Sequence, residues 1–176
     1  MKGFAKNAAR SVALVGIMAA TVECSKLALS SIPNVEIVTL LLAVYGYVFG
    51  TLGVISAFIF VFIEPLVWGF GSWFVTYLIY WPLVAAVFML LGRRGVKNRL
   101  LLASLAVLLT VFFGALSSAV DVGLFTGFFE NFFRRFAVYY IGGISFYLAQ
   151  ILTNVFTFSL LFPTLSRFLF KIKGHN

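Results

Sequence analysis

From Leu100 to Ser118 the chain reads LLLASLAVLLTVFFGALSS, nineteen residues without a charge. A run of that length and polarity matches the ~30 Å hydrocarbon core of a bilayer, which a helix crosses in roughly 20 residues. The rest of the chain resembles it. Hydrophobic residues make up 62% and charged residues 10%, against about half and a quarter in soluble domains. So much apolar surface has no soluble core to hide in, and the solvent is therefore lipid. Backbone groups in lipid must be satisfied internally, so the spans are helices or a closed barrel. Runs this apolar, without alternation, read as helices.

Read in order, the chain predicts an all-α integral membrane protein of six transmembrane helices in a single compact bundle, residues 1–176. The expected spans are Ala8–Ser30, Pro33–Phe49, Leu52–Ile63, Trp73–Leu91, Leu100–Ser118 and Phe136–Pro163. Pro33 disfavours helix at Ile32 and suits the first turn of the second span. Pro65 ends the third span at Glu64, and Pro82 kinks the fourth. The first span follows Lys2, Lys6 and Arg10 as a signal peptide would. It lacks a small-x-small cleavage site and carries Glu23 before Cys24, so it reads as a retained span.

Charge sets the expected sidedness. With the N-terminus inside and six crossings, the inner segments hold Lys2, Lys6, Arg10, Arg93, Arg94, Lys97, Arg99, Arg167, Lys171 and Lys173, and no acid. All five acids (Glu23, Glu36, Glu64, Asp121 and Glu130) fall at or near outer ends. That is the positive-inside pattern, with both termini cytoplasmic. The net charge of +8 is thereby spent on topology, and nucleic acid is not the expected partner.

The outer connections carry the chemistry. Glu64–Pro82, EPLVWGFGSWFVTYLIYWP, gathers three Trp, two Tyr, two Phe, two Gly and a carboxylate in nineteen residues. A second irregular stretch is expected at Ala119–Asn131, with Asp121, Phe125, Phe128, Phe129 and Glu130. Rings such as Trp68, Phe70, Trp73, Tyr77 and Phe125 offer large contact area at low entropy cost. They serve equally as an interfacial belt at headgroup depth. Glycines and acids accompany them, which favours a binding surface over a belt for the group as a whole. Glu64 is the sharpest acid, placed by Pro65 at a helix end within reach of water or a ligand. Asn34 and Glu36 open the second span, as helix caps or as ligand contacts. Glu23 and Lys26, three apart on one helix face, are expected to pair.

The last span carries Tyr140, Gly143, Tyr147, Gln150, Asn154 and Thr157 on one face. Amides in lipid turn toward protein or a cavity, so Gln150 and Asn154 either bond neighbouring helices or floor a pocket. Arg134 and Arg135 reach lipid phosphate or pair with Glu130 and Asp121. Ala9, Ala13, Gly16 and Ala20 recur on one stripe of the first span, the pattern that lets another helix approach closely. No catalytic constellation emerges, and the lone Cys24 and His175 make no metal site. No phosphate-cradling motif is present, so nucleotide would have to be bound by a partner.

These features together resemble the substrate-binding S components of energy-coupling-factor vitamin transporters. The family's Ala-x-x-x-Ala signature on helix one appears as Gly16-Ile-Met-Ala-Ala20, with Gly for the first Ala, and Ala9 and Ala13 give an intact copy earlier. Ile32–Gly50 and Glu64–Pro82 look like a subgroup associated with cobalamin. The resemblance implies a vitamin bound from outside under the loops after helices one, three and five. It implies docking of helix one onto a transmembrane T component that carries two ATPase subunits, and toppling in the membrane to release substrate. No cofactor is implied beyond the vitamin itself, with cobalamin ahead of thiamin, pyridoxine, riboflavin, folate or pantothenate. Two rival readings are a membrane enzyme acting on lipids or isoprenoids and a ligand-free assembly subunit.

Overall fold

The computed structural model describes residues 2–174, with side chains from Ala8 onward. The expectation for His175 therefore lies outside the described residues, as do the side chains of Lys2 and Lys6. The described chain is helical throughout: α1 (Lys2–Leu29), α2 (Val38–Phe49), α3 (Thr51–Trp68), α4 (Trp73–Arg93), α5 (Arg99–Thr126), α6 (Phe132–Gly142) and α7 (Ile144–Gly174). Five of these are long and apolar enough to cross a membrane, within α1, α3, α4, α5 and α7. The chain is a multi-pass helical membrane protein.

α2 is the exception and the centre. Its 12 residues span about 18 Å at 1.5 Å per residue, too short to cross a bilayer alone. It survives because neighbouring helices shield it. Val38, Leu40, Leu42, Ala43, Val44 and Val48 are all buried, against α4, α3, α7 and α1. Gly46 makes the α2–α4 contact possible, since a Cβ there would run into the backbone of Ala85. Around this seam Phe60, Val61, Tyr80, Val84, Ala85 and Phe88 complete a dry core.

Several expected boundaries are corrected. The third span does not stop at Ile63; α3 runs through Glu64 and Pro65 to Trp68. Proline deletes only one backbone donor, and so near the helix end the remaining turn holds, with Gly69 N–H bonded to the Pro65 carbonyl. The second span starts at Val38, leaving Pro33 in the preceding loop. The expected irregular stretch Ala119–Asn131 shrinks to 127–131, because α5 continues to Thr126. It stops at Gly127, whose φ of 78° lies in the left-handed region that favours glycine. The sixth span is two helices broken at Gly143, with α6 folded back along the end of α5.

Among the described residues, several bases share one end, while Lys26 lies at the other. Lys173 Nζ donates to the Val48 carbonyl (2.6 Å) and Tyr47 Oη to the Val96 carbonyl (2.8 Å), drawing the C-terminal turn, the α2–α3 turn and the α4–α5 loop together. Arg93 reaches Thr51 across the same end. Glu23, Glu36 and Glu64 sit at the opposite end, around a cleft in which aromatic and acidic residues converge.

Candidate functional site: an aromatic cleft at the acidic end

The cleft encloses ≈ 330 Å³ among α1, α2, α4, α5, α7 and the loop 30–37. Each wall has a distinct origin. The roof is the loop, where Ile32, Pro33 and Asn34 turn back toward α2. Asn34 has a φ of 61°, a left-handed conformation that asparagine tolerates better than most residues. Glu36 anchors the loop to α2: its carboxylate accepts from Thr39 N–H (2.9 Å) and Thr39 Oγ1 (2.6 Å). This is a capping interaction, and it leaves Glu36 on the cleft wall as well. Burial pushes the Glu36 carboxyl above the ordinary range, opposed by the hydrogen bonds from Thr39.

The side wall is aromatic. Tyr77, Tyr80 and Trp81 project from α4, and Phe113 faces them from α5. Tyr80 and Phe113 lie 4.8 Å apart between ring centroids, and Tyr77 and Trp81 5.4 Å in an edge-to-face pair. Trp68 closes the outer rim. The floor is polar: Gln150 from α7 and Thr110 from α5. Beneath them Asn154 Nδ2 donates to Thr110 Oγ1 (2.9 Å), fastening α7 to α5. Trp81 Nε1 and Gln150 Oε1 are buried and have no partner in the protein, one donor and one acceptor on the lining of the same cleft. Buried polar atoms are rarely left unpaired, so such a pair marks unused capacity for a ligand.

The acidic corner departs from expectation. Lys26 does not pair with Glu23 on its own helix; its Nζ donates to Glu64 Oε2 of α3. Glu64 is fully buried rather than water-exposed at a helix end, because α3 continues past it. Glu23 is also buried, beside Glu64, and neither of its oxygens has a protein donor. The Lys26 ammonium lies over two rings, 5.6 Å from the Trp68 centroid and 5.1 Å from that of Tyr77.

Of the residues singled out from sequence, Asn34, Glu36, Trp68, Tyr77 and Gln150 meet at this cleft, with Glu64 directly behind Lys26. Trp73 stands one ring back, packed on Tyr77 at 5.2 Å. Phe70 and Phe125 point outward, 80% and 77% exposed, in the manner of an interfacial belt. Asp121 accepts a hydrogen bond from Tyr139 (3.0 Å), while Tyr140 stacks on Tyr147, whose hydroxyl meets Ser118 (3.2 Å). These five tie α6 and α7 to α5 and do not line the cleft. Arg135 donates to the Gly127 carbonyl rather than to an acid. The stripe Ala9, Ala13, Gly16 and Ala20 lies exposed on α1, opposite the buried Val15, Met18, Ala19 and Val22.

Sequence reasoning missed Lys26, Thr39, Tyr80, Trp81, Thr110 and Phe113 as site residues. Thr110 carried a usable signal, a hydroxyl alone in the middle of an apolar run. Lys26 did not, because its partner lies 38 residues away.

Comparison with known protein families, curated proteins and solved structures returned no match.

Proposed function

We propose that the chain is a vitamin-capturing membrane subunit of the energy-coupling-factor type, with six crossings and both termini in the cytoplasm. The observation that carries this reading is the aromatic cleft at the acidic end, whose lining holds buried polar atoms without a partner among the described residues. The sixth crossing is then α2, shortened and covered by the loop 30–37. The basic end, with Arg93, Arg94, Lys97, Arg99 and Arg167, faces the cytoplasm by the positive-inside rule.

Cleft volume bears on the ligand. Ligand pockets run about 300–1,000 Å³, and ≈ 330 Å³ suits a one- or two-ring vitamin such as thiamin or pyridoxine. The resemblance leans to cobalamin, whose corrin ring and nucleotide tail are several times bulkier. Cobalamin remains the second reading, favoured by the half-open roof: Ile32 is 50% exposed, so the loop 30–37 has room to lift. The exposed small-residue stripe of α1 would face the transmembrane partner, which with its two ATPases would supply the energy. The outward face of α1 carries no charge between Val12 and Ala20, so tilting against lipid is cheap.

The test is a vitamin panel on detergent-purified protein, read by thermal shift, because a ligand that binds only the folded state must raise its apparent stability. One vitamin is expected to stabilise. Trp68→Ala and Glu64→Gln should each weaken its binding by about tenfold or more, the cost of one lost ring or charge contact. Unchanged affinity in both variants, or no stabilising vitamin at all, would sink the reading. Gly16→Trp should leave vitamin binding intact and abolish co-purification of the energising module.

A further inference from the structure

The acidic corner of the cleft is built as a cation site, and the chain occupies it with its own side chain. The Lys26 ammonium sits over the Trp68 and Tyr77 rings at 5.6 and 5.1 Å, both inside the ~6 Å within which a ring face attracts a cation. Glu64 accepts from it and is 1% exposed. Glu23 adds a second carboxylate with two oxygens lacking protein donors, and Glu64 Oε1 is likewise unpartnered. Glu36 faces the cleft from the loop side. Two ring faces and the abutting carboxyl groups of Glu64 and Glu23 thus neighbour one ammonium, with Glu36 on the wall of the same cleft. No other Lys or Arg lines the cleft.

Lysine is suited to a temporary tenancy. Its charge rides on a flexible four-carbon stem and is strongly hydrated when released. Lys26 is only three residues from the C-terminal end of α1, and its side chain is already 24% exposed. The stem can therefore swing outward to water while its aliphatic part stays on the rim. What it vacates is a box with rings on two sides and carboxylates behind.

We infer that the cleft takes a compact organic cation, a quaternary or protonated ring nitrogen, which displaces the Lys26 ammonium from the Trp68–Tyr77–Glu64 box. This rests on reading the cleft as a ligand site and adds the charge class of the ligand. It also makes Lys26 a competitor rather than a contact. A group that holds a ligand weakens binding when removed; a tethered competitor strengthens it.

The experiment is a charge series on one ring scaffold: 1-methylnicotinamide (cation), nicotinamide (neutral) and nicotinate (anion). Each is titrated calorimetrically into purified full-length protein. The cation should bind about tenfold more tightly than the neutral ring, in line with a desolvated cation–ring contact, and the anion least of all. Lys26→Met should tighten the cation by about tenfold more and leave the neutral ring within about twofold. Trp68→Leu, which keeps the Lys26–Glu64 pair, should erase the preference for the cation while retaining weak neutral binding. That variant decides the matter should Lys26→Met fail to fold. Weaker cation binding in Lys26→Met, or equal affinity for cation and neutral ring in the unaltered protein, would overturn the inference. If a vitamin binds but the series shows no charge preference, the tethered-competitor idea alone falls. If the series behaves as described but no vitamin binds, the box stands and the transporter reading falls.

Discussion

α2 and α7 both read as membrane helices in the sequence and lead opposite lives in the molecule. Nine of the 12 residues of α2 are buried, against five of the 31 in α7. α6 buries none of its 11. In water such a difference would mark α6 and α7 as poorly folded. In lipid it marks which helices face the solvent, because an apolar side chain gains nothing by leaving hydrocarbon for a protein interior. What holds a lipid-facing helix is packing and a few polar clasps. For α7 these are Asn154 with Thr110, Tyr147 with Ser118, and the rings Phe158 and Phe162 against Phe88 of α4. The cleft lies on the seam between the densely packed α1–α4 and the loosely clasped α5–α7. A seam of that kind is where an opening costs least.

The comparison can be broken at its extremes first. Phe88 is fully buried between α2, α4 and α7, its ring 5.3 Å from Phe158 and 5.5 Å from Phe162. Phe88→Ala should cost roughly 3–5 kcal/mol, the range for large-to-small changes in packed cores. Phe133→Ala, on a ring 83% exposed, should stay within about 0.5 kcal/mol. Thermal unfolding of both variants in one detergent checks this. Equal losses would mean that α6 packs on protein and not on lipid.

The clasp at the seam comes next. Asn154→Leu removes the donor to Thr110, and interhelical hydrogen bonds in membrane proteins average about 0.6 kcal/mol. A stability loss of about 1 kcal/mol is expected, with a larger relative effect on ligand affinity, because Gln150 one turn away loses its seat. A variant that loses stability but no affinity would separate the clasp from the site.

The smallest effect belongs to Glu36. Its carboxyl is raised by burial, so the folded state holds its proton to higher pH than the unfolded chain does. Stability therefore falls as pH rises from the ordinary carboxylate value, about 4.3 for Glu, through the raised folded value, and levels off above it. Glu36→Gln should flatten that part of the profile. A curve unchanged by the substitution would assign the slope to another group.

How much of this was legible beforehand varies with the length over which a signal acts. Helical class and membrane-spanning character were readable, because each depends on composition or on periodicity along a few turns; the segregation of charge holds only in part, since Lys26 sits among the acids. The aromatic stretch Glu64–Pro82 stands out in the sequence, and Trp68 and Tyr77 from it line the cleft. Phe70 from the same stretch does not, since one residue beyond Gly69 the chain has already turned outward. Local proline and glycine rules misplace three boundaries, the start of α2 after Pro33 among them. Pro65 predicts a stop, yet the last turn of α3 closes around it; Asp121 falls in an expected loop, yet α5 carries it until Gly127.

The chain on its own determined its solvent, its secondary structure and the uneven distribution of its charges, all properties that neighbours in sequence decide among themselves. Only the packing of helices decided that short α2 would be the core, that Thr110 and Asn154 would meet across 44 residues, and that Lys26 would find Glu64 and not Glu23. The reason is geometric. A helix periodicity says which residues share a face, but what that face meets depends on rotation and crossing of whole helices, and those are set by every contact at once.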